Sequence, residues 1–85
     1  MPKFDYVKQV ARKAPIVMNS AKIINERLEN KEITSDEAYA QMVKFALSGN
    51  FKSFWFDIDD LLRKQYETEP WFWLVRRIRN DLQNL

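Results

Sequence analysis

The stretch TSDEAYAQMVKFALSG, residues 34–49, decides the fold class because it carries both the start and the stop of one helix. Thr34 precedes an acidic first turn, and Glu37 stands three residues later, which is the spacing of a capping box. Gly49 is expected to end the helix in a left-handed conformation. The pattern predicts a helix over residues 34–48 with one apolar face, formed by Ala38, Tyr39, Met42, Phe45 and Ala46.

The same periodicity extends outward from this helix in both directions. Apolar residues recur at spacings of three and four along the chain, and strict alternation is almost absent. One glycine and three prolines in 85 residues leave few tight turns. We therefore predict an all-α fold, a compact bundle of four to five short helices that forms a single domain over residues 1–85.

Pro15 determines the number of helices in the N-terminal third. Proline fits the first turn of a helix and disfavours helix in the residue before it, so the sequence predicts one helix over about residues 3–13 and a second starting at Pro15. A single kinked helix is the alternative that the sequence leaves open. The predicted inward residues are Phe4, Tyr6, Val7, Val10, Ala11 and Ala14 before the proline, and Ile16, Val17, Ala21, Ile23, Ile24 and Leu28 after it.

Two more amphipathic segments occupy the C-terminal half. The first covers residues 51–66, and the second follows the corner ETEP, where Thr68 or Glu69 is expected to cap the last helix and Pro70 to lie in its first turn. The predicted inward residues are Phe51, Phe54, Trp55, Ile58, Leu61, Leu62 and Tyr66 on one segment, and Trp71, Leu74, Val75, Ile78, Leu82 and Leu85 on the other.

The composition argues against catalysis and against cofactors. The chain has no cysteine and no histidine, so disulfides, thiol nucleophiles, most catalytic triads and most zinc sites are excluded. One glycine cannot build a phosphate-binding or dinucleotide-binding loop. We predict a protein that is not an enzyme, with no cofactor, no metal and no small-molecule substrate.

One cluster of carboxylates, in the stretch DIDD of residues 57–60, resembles a metal loop only superficially. A calcium loop needs glycine at its sixth position, where this chain has Leu62. The acid-first spacing instead suggests two i,i+4 ion pairs on a solvated helix face, Asp59 with Arg63 and Asp60 with Lys64. This segment and the last helix are joined by a short corner and should form a helical hairpin. Opposed charges between the aspartates and the arginines of the last helix are expected to set the register of that hairpin.

No stretch approaches the roughly 18 apolar residues that a membrane-spanning helix requires. The N-terminal stretch MPKFDYVKQVARK lacks the apolar run of a secretory signal. We therefore expect a cytoplasmic protein.

Residues 69–81, EPWFWLVRRIRND, contain the one aromatic side chain that helical periodicity does not place inward. Phe72 falls at the edge of the inward stripe, but Trp73 falls on the far side of the last helix, beside Arg76, Arg77 and Asn80. Phe56 is likewise off the stripe of its own helix. Three interpretations are open. Both aromatics are core residues if another helix covers them, or Trp73 stacks on Arg77 one turn further along its own helix. The third interpretation is a docking surface, because Trp and Arg are enriched at interface hot spots.

These observations lead to a functional hypothesis with two alternatives. We expect binding of another protein, or of a second copy of the chain, as an adaptor, inhibitor or assembly factor does, through Trp73, Arg76, Arg77, Asn80 and Phe56. The main alternative is nucleic-acid binding through basic faces of the first and last helices, although a net charge of +2 provides few phosphate contacts. Attachment of the last helix to a membrane surface is a weaker alternative. The basic residues relevant to nucleic acid are Lys8, Arg12, Arg76, Arg77 and Arg79.

Overall fold

Residues 2–85 fold into four α-helices in the computed structural model, which describes side chains from Asp5 onward. They are α1 (Pro2–Glu29), α2 (Ser35–Ser48), α3 (Trp55–Tyr66) and α4 (Phe72–Gln83), and a short 3-10 helix, Lys52–Phe54, leads into α3. No strand occurs in the described part of the chain. The predicted all-α bundle is confirmed.

Pro15 lies inside α1 and does not divide it. The predicted break at this point is wrong, and α1 is a single helix, as in the alternative interpretation. A proline inside a helix removes the hydrogen bond to the carbonyl four residues back, here that of Ala11. Both Pro15 and Ala11 are exposed, so water can satisfy that carbonyl and the helix continues.

The predicted capping box of α2 is present, and the helix ends at Ser48 before Gly49 as predicted, but Gly49 is not left-handed. The hydroxyl of Thr34 accepts a hydrogen bond from the Glu37 backbone N–H at 3.2 Å, and the Glu37 carboxylate accepts one from the Thr34 N–H at 2.8 Å. Gly49 has φ −95°, and Asn50 takes the left-handed conformation with φ 54°. Glycine is needed for space instead, since a Cβ there would lie 1.9 Å from a ring carbon of Phe51.

The core lies around α1 and α4, each of which contacts all three other helices. Trp55 of α3 is fully buried, and its Nε1 donates to the Val75 carbonyl of α4 at 3.0 Å. Single helical stripes do not describe this arrangement fully, because several residues on the flanks of a stripe remain in solvent. The residues predicted inward but found exposed are Tyr6, Val7, Ala11, Ile16, Ile23, Leu61 and Leu85, while Phe4 lies outside the described side chains.

The start of α4 differs from the prediction. Neither Thr68 nor Glu69 caps the helix, which begins at Phe72 with Trp71 at the cap position and no side-chain cap hydrogen bond. Phe72, predicted at the edge of the stripe, is 1% exposed. Arg63 of α3 and Arg76 lie against its ring, 5.2 Å and 5.4 Å from the centroid. Burial of Phe72 thus extends the apolar surface of α4 toward α3.

Candidate functional site

Two arginines near the α3–α4 contact, Arg63 and Arg79, form ion pairs within the fold. Asp59 is fully buried, and its Oδ1 accepts hydrogen bonds from Arg63 at 2.9 Å and from Arg79 at 2.7 Å. Arg79 also donates to Asp60 at 2.6 Å. These hydrogen bonds raise the pKa of the Arg79 guanidinium. The expected charge pairing across the hairpin is present, and the Asp59–Arg63 pair is confirmed.

Asp59 itself does not lie on a solvated face, which corrects the sequence-based interpretation of DIDD. Its Oδ2 is buried and has no hydrogen-bond partner among the described residues. The ion pair of Asp60 is made with Arg79 rather than with Lys64. The reason is that α4 packs over this side of α3 and supplies a guanidinium that reaches both aspartates.

Arg76 and Arg77, by contrast, are exposed and form no ion pair with any residue of the described chain. The guanidinium carbon of Arg77 lies 3.9 Å from the ring centroid of Tyr39 on α2, and that of Arg76 lies against Phe72. A guanidinium that stacks on a ring uses its flat face, and its N–H donors in the plane remain available. Both arginines therefore lie beside aromatic rings and are exposed, and neither is paired with a carboxylate of the described residues.

Trp73 is half-buried and packs against the core. Its Nε1 donates to Oδ1 of Asn25 on α1 at 2.8 Å, and Asn25 is 6% exposed. The far side of α4 is thus covered by α1 at this turn, which helical periodicity within α4 could not indicate. Arg77 stacks on Tyr39 of α2, so the expected stacking within α4 is replaced by a contact between helices.

The remaining candidates lie on either side of these residues. Asn80 is exposed one turn after Arg76. Phe56 is 40% exposed, and the Arg79 guanidinium lies 5.7 Å from its ring, on the flank of α4 that faces α3. The fold therefore places Trp73, Arg76, Arg77 and Asn80 along one side of α4 and puts Phe56 at the edge of that side. We call Arg76, Arg77 and Asn80, with the visible edge of Trp73, the arginine face.

Tyr39 is the residue of this region that sequence reasoning missed, since it was assigned simply to the inward side of α2. Its hydroxyl donates to the carboxylate of Asp81 on α4. Burial, followed by this hydrogen bond, raises the pKa of Tyr39 to about 12, and the nearby charge of Arg77 opposes the rise. Tyr39 therefore stays protonated and supports Arg77 at neutral pH. No pattern within α2 alone marks it, because both partners come from α4.

An apolar groove lies next to the arginine face, between α2 and α4. Its volume is about 160 Å³, and Tyr39 and Asp81 both line it. Leu47 on its α2 side is 61% exposed and Leu85, which also lines it, is 92% exposed, so the groove presents aliphatic side chains to solvent. We call this region the α2–α4 groove; its other lining residues are Val43, Ala46, Lys52, Ile78 and Leu82.

No family model, curated protein or solved structure matches this chain. Among the residues that the structure describes, no helix has the length and apolar character needed to cross a bilayer. Within the same residues, no group of three or more carboxylates, histidines or cysteines is arranged to hold a metal ion.

Proposed function

We propose that this chain is a small, non-enzymatic, cytoplasmic protein that binds an acidic surface of another protein through the arginine face of α4. The observation that carries the proposal is the contrast among the arginines of α3 and α4. Arg63 and Arg79 are paired with aspartates, whereas Arg76 and Arg77 lie against aromatic rings and have no carboxylate partner within the described residues. Planar donors held in this way suit bidentate binding of carboxylates.

The surroundings of the two arginines favour such binding on entropic grounds. Ordering a long side chain at an interface costs about 0.5–1.5 kcal/mol, and a side chain already held by a ring loses less freedom. Trp73 is fixed by its hydrogen bond to Asn25, so its visible edge is also a rigid contact. In this proposal Trp73 supports the face, and the guanidinium groups make the specific contacts.

The same donors suit phosphates, which keeps nucleic acid as the alternative. One feature favours a protein partner. The arginine face contributes only two guanidinium groups, whereas nucleic-acid affinity usually depends on many phosphate contacts.

Affinity capture from an extract of the source organism would test the proposal with a matched pair of variants. Arg76→Ala/Arg77→Ala removes the two free guanidinium groups, and Lys22→Ala/Lys44→Ala removes two exposed charges elsewhere. We expect the first variant to lose about tenfold or more of the captured partner, because Arg is frequent among hot spots that cost 2 kcal/mol or more. The control variant should capture as much as the wild type.

Nuclease treatment of the extract separates the two classes of partner. A protein that is captured equally before and after nuclease, and only with Arg76 and Arg77 present, would support the proposal. Equal capture by all three proteins would refute it. Capture that disappears with nuclease, and falls steeply with salt, would establish the nucleic-acid alternative instead.

A further inference from the structure

The α2–α4 groove shares its boundary with the arginine face, and the two form one continuous surface. Tyr39 lines the groove and also carries the stacked guanidinium of Arg77 on its ring. Interfaces commonly have an apolar centre surrounded by polar and charged groups. The groove supplies the apolar area that the arginine face lacks, because most of the Trp73 indole is already packed inside the fold.

The groove is built from two apolar ladders that face each other across a gap. Val43 and Leu47 are one turn apart on α2, and Ile78 and Leu82 are one turn apart on α4. A cavity of about 150 Å³ lined by aliphatic side chains is large enough to take a benzene-sized group. The groove, at about 160 Å³, can therefore receive one large apolar side chain from a partner.

The charges around the groove specify what must flank that side chain. Lys52 lines the groove, is exposed and forms no ion pair with the described residues. Arg77 lies over Tyr39 on its margin, and Arg76 lies one residue before it. The lining carboxylate of Asp81 accepts the Tyr39 hydroxyl. Arg76 itself faces Phe72, away from the groove, so two cations, Lys52 and Arg77, stand against one anion at the margin. The margin is therefore positive, and a complementary partner carries carboxylates.

We propose that the α2–α4 groove binds an amphipathic helix of a partner protein, with a Leu-class side chain inserted between Leu47 and Leu82 and with flanking carboxylates that contact Lys52 and Arg77. This inference rests on the proposed function and names the partner's chemistry at the same surface. A helix fits better than an extended strand because the groove lies between two helices and offers no sheet edge. Anchors spaced one turn apart along such a helix match the ladder spacing.

Three synthetic peptides of about four helical turns would test this directly on the full-length ¹⁵N-labelled protein. The first peptide carries leucines one turn apart with glutamates on both sides. The second replaces the leucines with alanine and keeps the glutamates, and the third keeps the leucines and replaces the glutamates with lysine. We expect the first to shift backbone resonances of Val43, Leu47, Leu82 and Arg77. The second should bind about tenfold more weakly or worse, given about 0.8 kcal/mol for each buried methylene. The third should also bind about tenfold more weakly or worse, because its lysines are repelled by Lys52 and Arg77.

A matched pair of protein variants locates the site. Leu47→Asn removes an apolar wall of the groove, and Leu61→Asn changes a leucine of similar exposure, 43%, on α3. We expect Leu47→Asn to weaken the first peptide about tenfold and Leu61→Asn to leave its affinity unchanged. Equal effects of the two variants, or resonance shifts centred on Leu61, would overturn the inference.

The outcomes also separate this inference from the function on which it rests. If the first two peptides bind equally and shift only Arg76, Arg77 and Asn80, the arginine face binds carboxylates and the groove is not used. If neither acidic peptide shifts any resonance, both proposals fall. If dilution of the protein alone shifts Val43 and Leu47, a second copy of the chain occupies the groove and the inference is wrong.

Discussion

Trp73→Phe is the substitution that most directly tests whether this indole is a structural residue. It removes the Nε1 donor and leaves the Oδ1 acceptor of Asn25, a residue that is 6% exposed, without its partner. An unsatisfied buried polar group costs about 1–3 kcal/mol, and the smaller ring loses some packing against the core. We therefore expect the free energy of unfolding to fall by about 2–3 kcal/mol, which for a domain of this size lowers the Tm by roughly 10–20 °C.

Urea unfolding followed by far-UV circular dichroism measures the loss, and a double-mutant cycle assigns it. Asn25→Leu removes the acceptor, and with both partners apolar no buried oxygen is left unpaired. The double variant should be more stable than the sum of the two single losses predicts, by about 1–2 kcal/mol. A loss below about 0.5 kcal/mol for Trp73→Phe, or strict additivity in the cycle, would show that the hydrogen bond contributes little and that the indole is effectively a surface group.

Other predictions concern the charges and caps around this surface. Asp59→Asn should lower the free energy of unfolding by about 2–3 kcal/mol in urea, because the fully buried carboxylate pairs with Arg79, and a loss under about 1 kcal/mol would contradict that role. Tyr39 should titrate near pH 12 by NMR of its ring carbons, and Asp81→Asn should lower that pKa. The pKa of tyrosine is near 10 in the unfolded chain, so the free energy that Tyr39 contributes to stability is complete below pH 10 and is lost between about pH 10 and 12. A free energy of unfolding that rises over this range would refute the assignment. Thr34→Ala should cost about 1 kcal/mol in the same urea assay through loss of the capping box, and no change would mean that the cap is dispensable.

The helices could be predicted from the sequence because their local signals agree with one another. Thr34 and Glu37 form their capping box from residues three apart, so no knowledge of the rest of the fold was needed. Pro15 shows the limit of such local rules. Proline disfavours a helix on average, but the cost depends on whether the freed carbonyl of Ala11 can reach water, and that depends on which side of α1 the other helices cover.

The candidate site was less predictable, because a helical wheel assumes that a helix has one buried side. α4 is contacted by α1, α2 and α3, so it is covered on its flanks as well. Phe72 is buried toward α3, and Trp73 is tied to α1 through Asn25. Residues that the periodicity places outward are then partly buried by neighbours that only the tertiary structure identifies. Arg76 and Arg77 remain exposed on this side, although α1 covers the neighbouring turn at Trp73.

Under the proposed function, one helix serves both the fold and a partner, and the way in which its arginines are held is compatible with both roles. A guanidinium paired with a carboxylate inside the fold must give up that pair before it can bind an outside acid, as Arg79 would have to do with Asp59. A guanidinium stacked on a ring keeps its position without using its donors, as Arg77 does on Tyr39. Binding an acidic partner at Arg76 and Arg77 therefore costs the fold no ion pair. Arg79 is paired with both aspartates at the contact with α3. The arginines that α4 exposes to solvent are therefore Arg76 and Arg77.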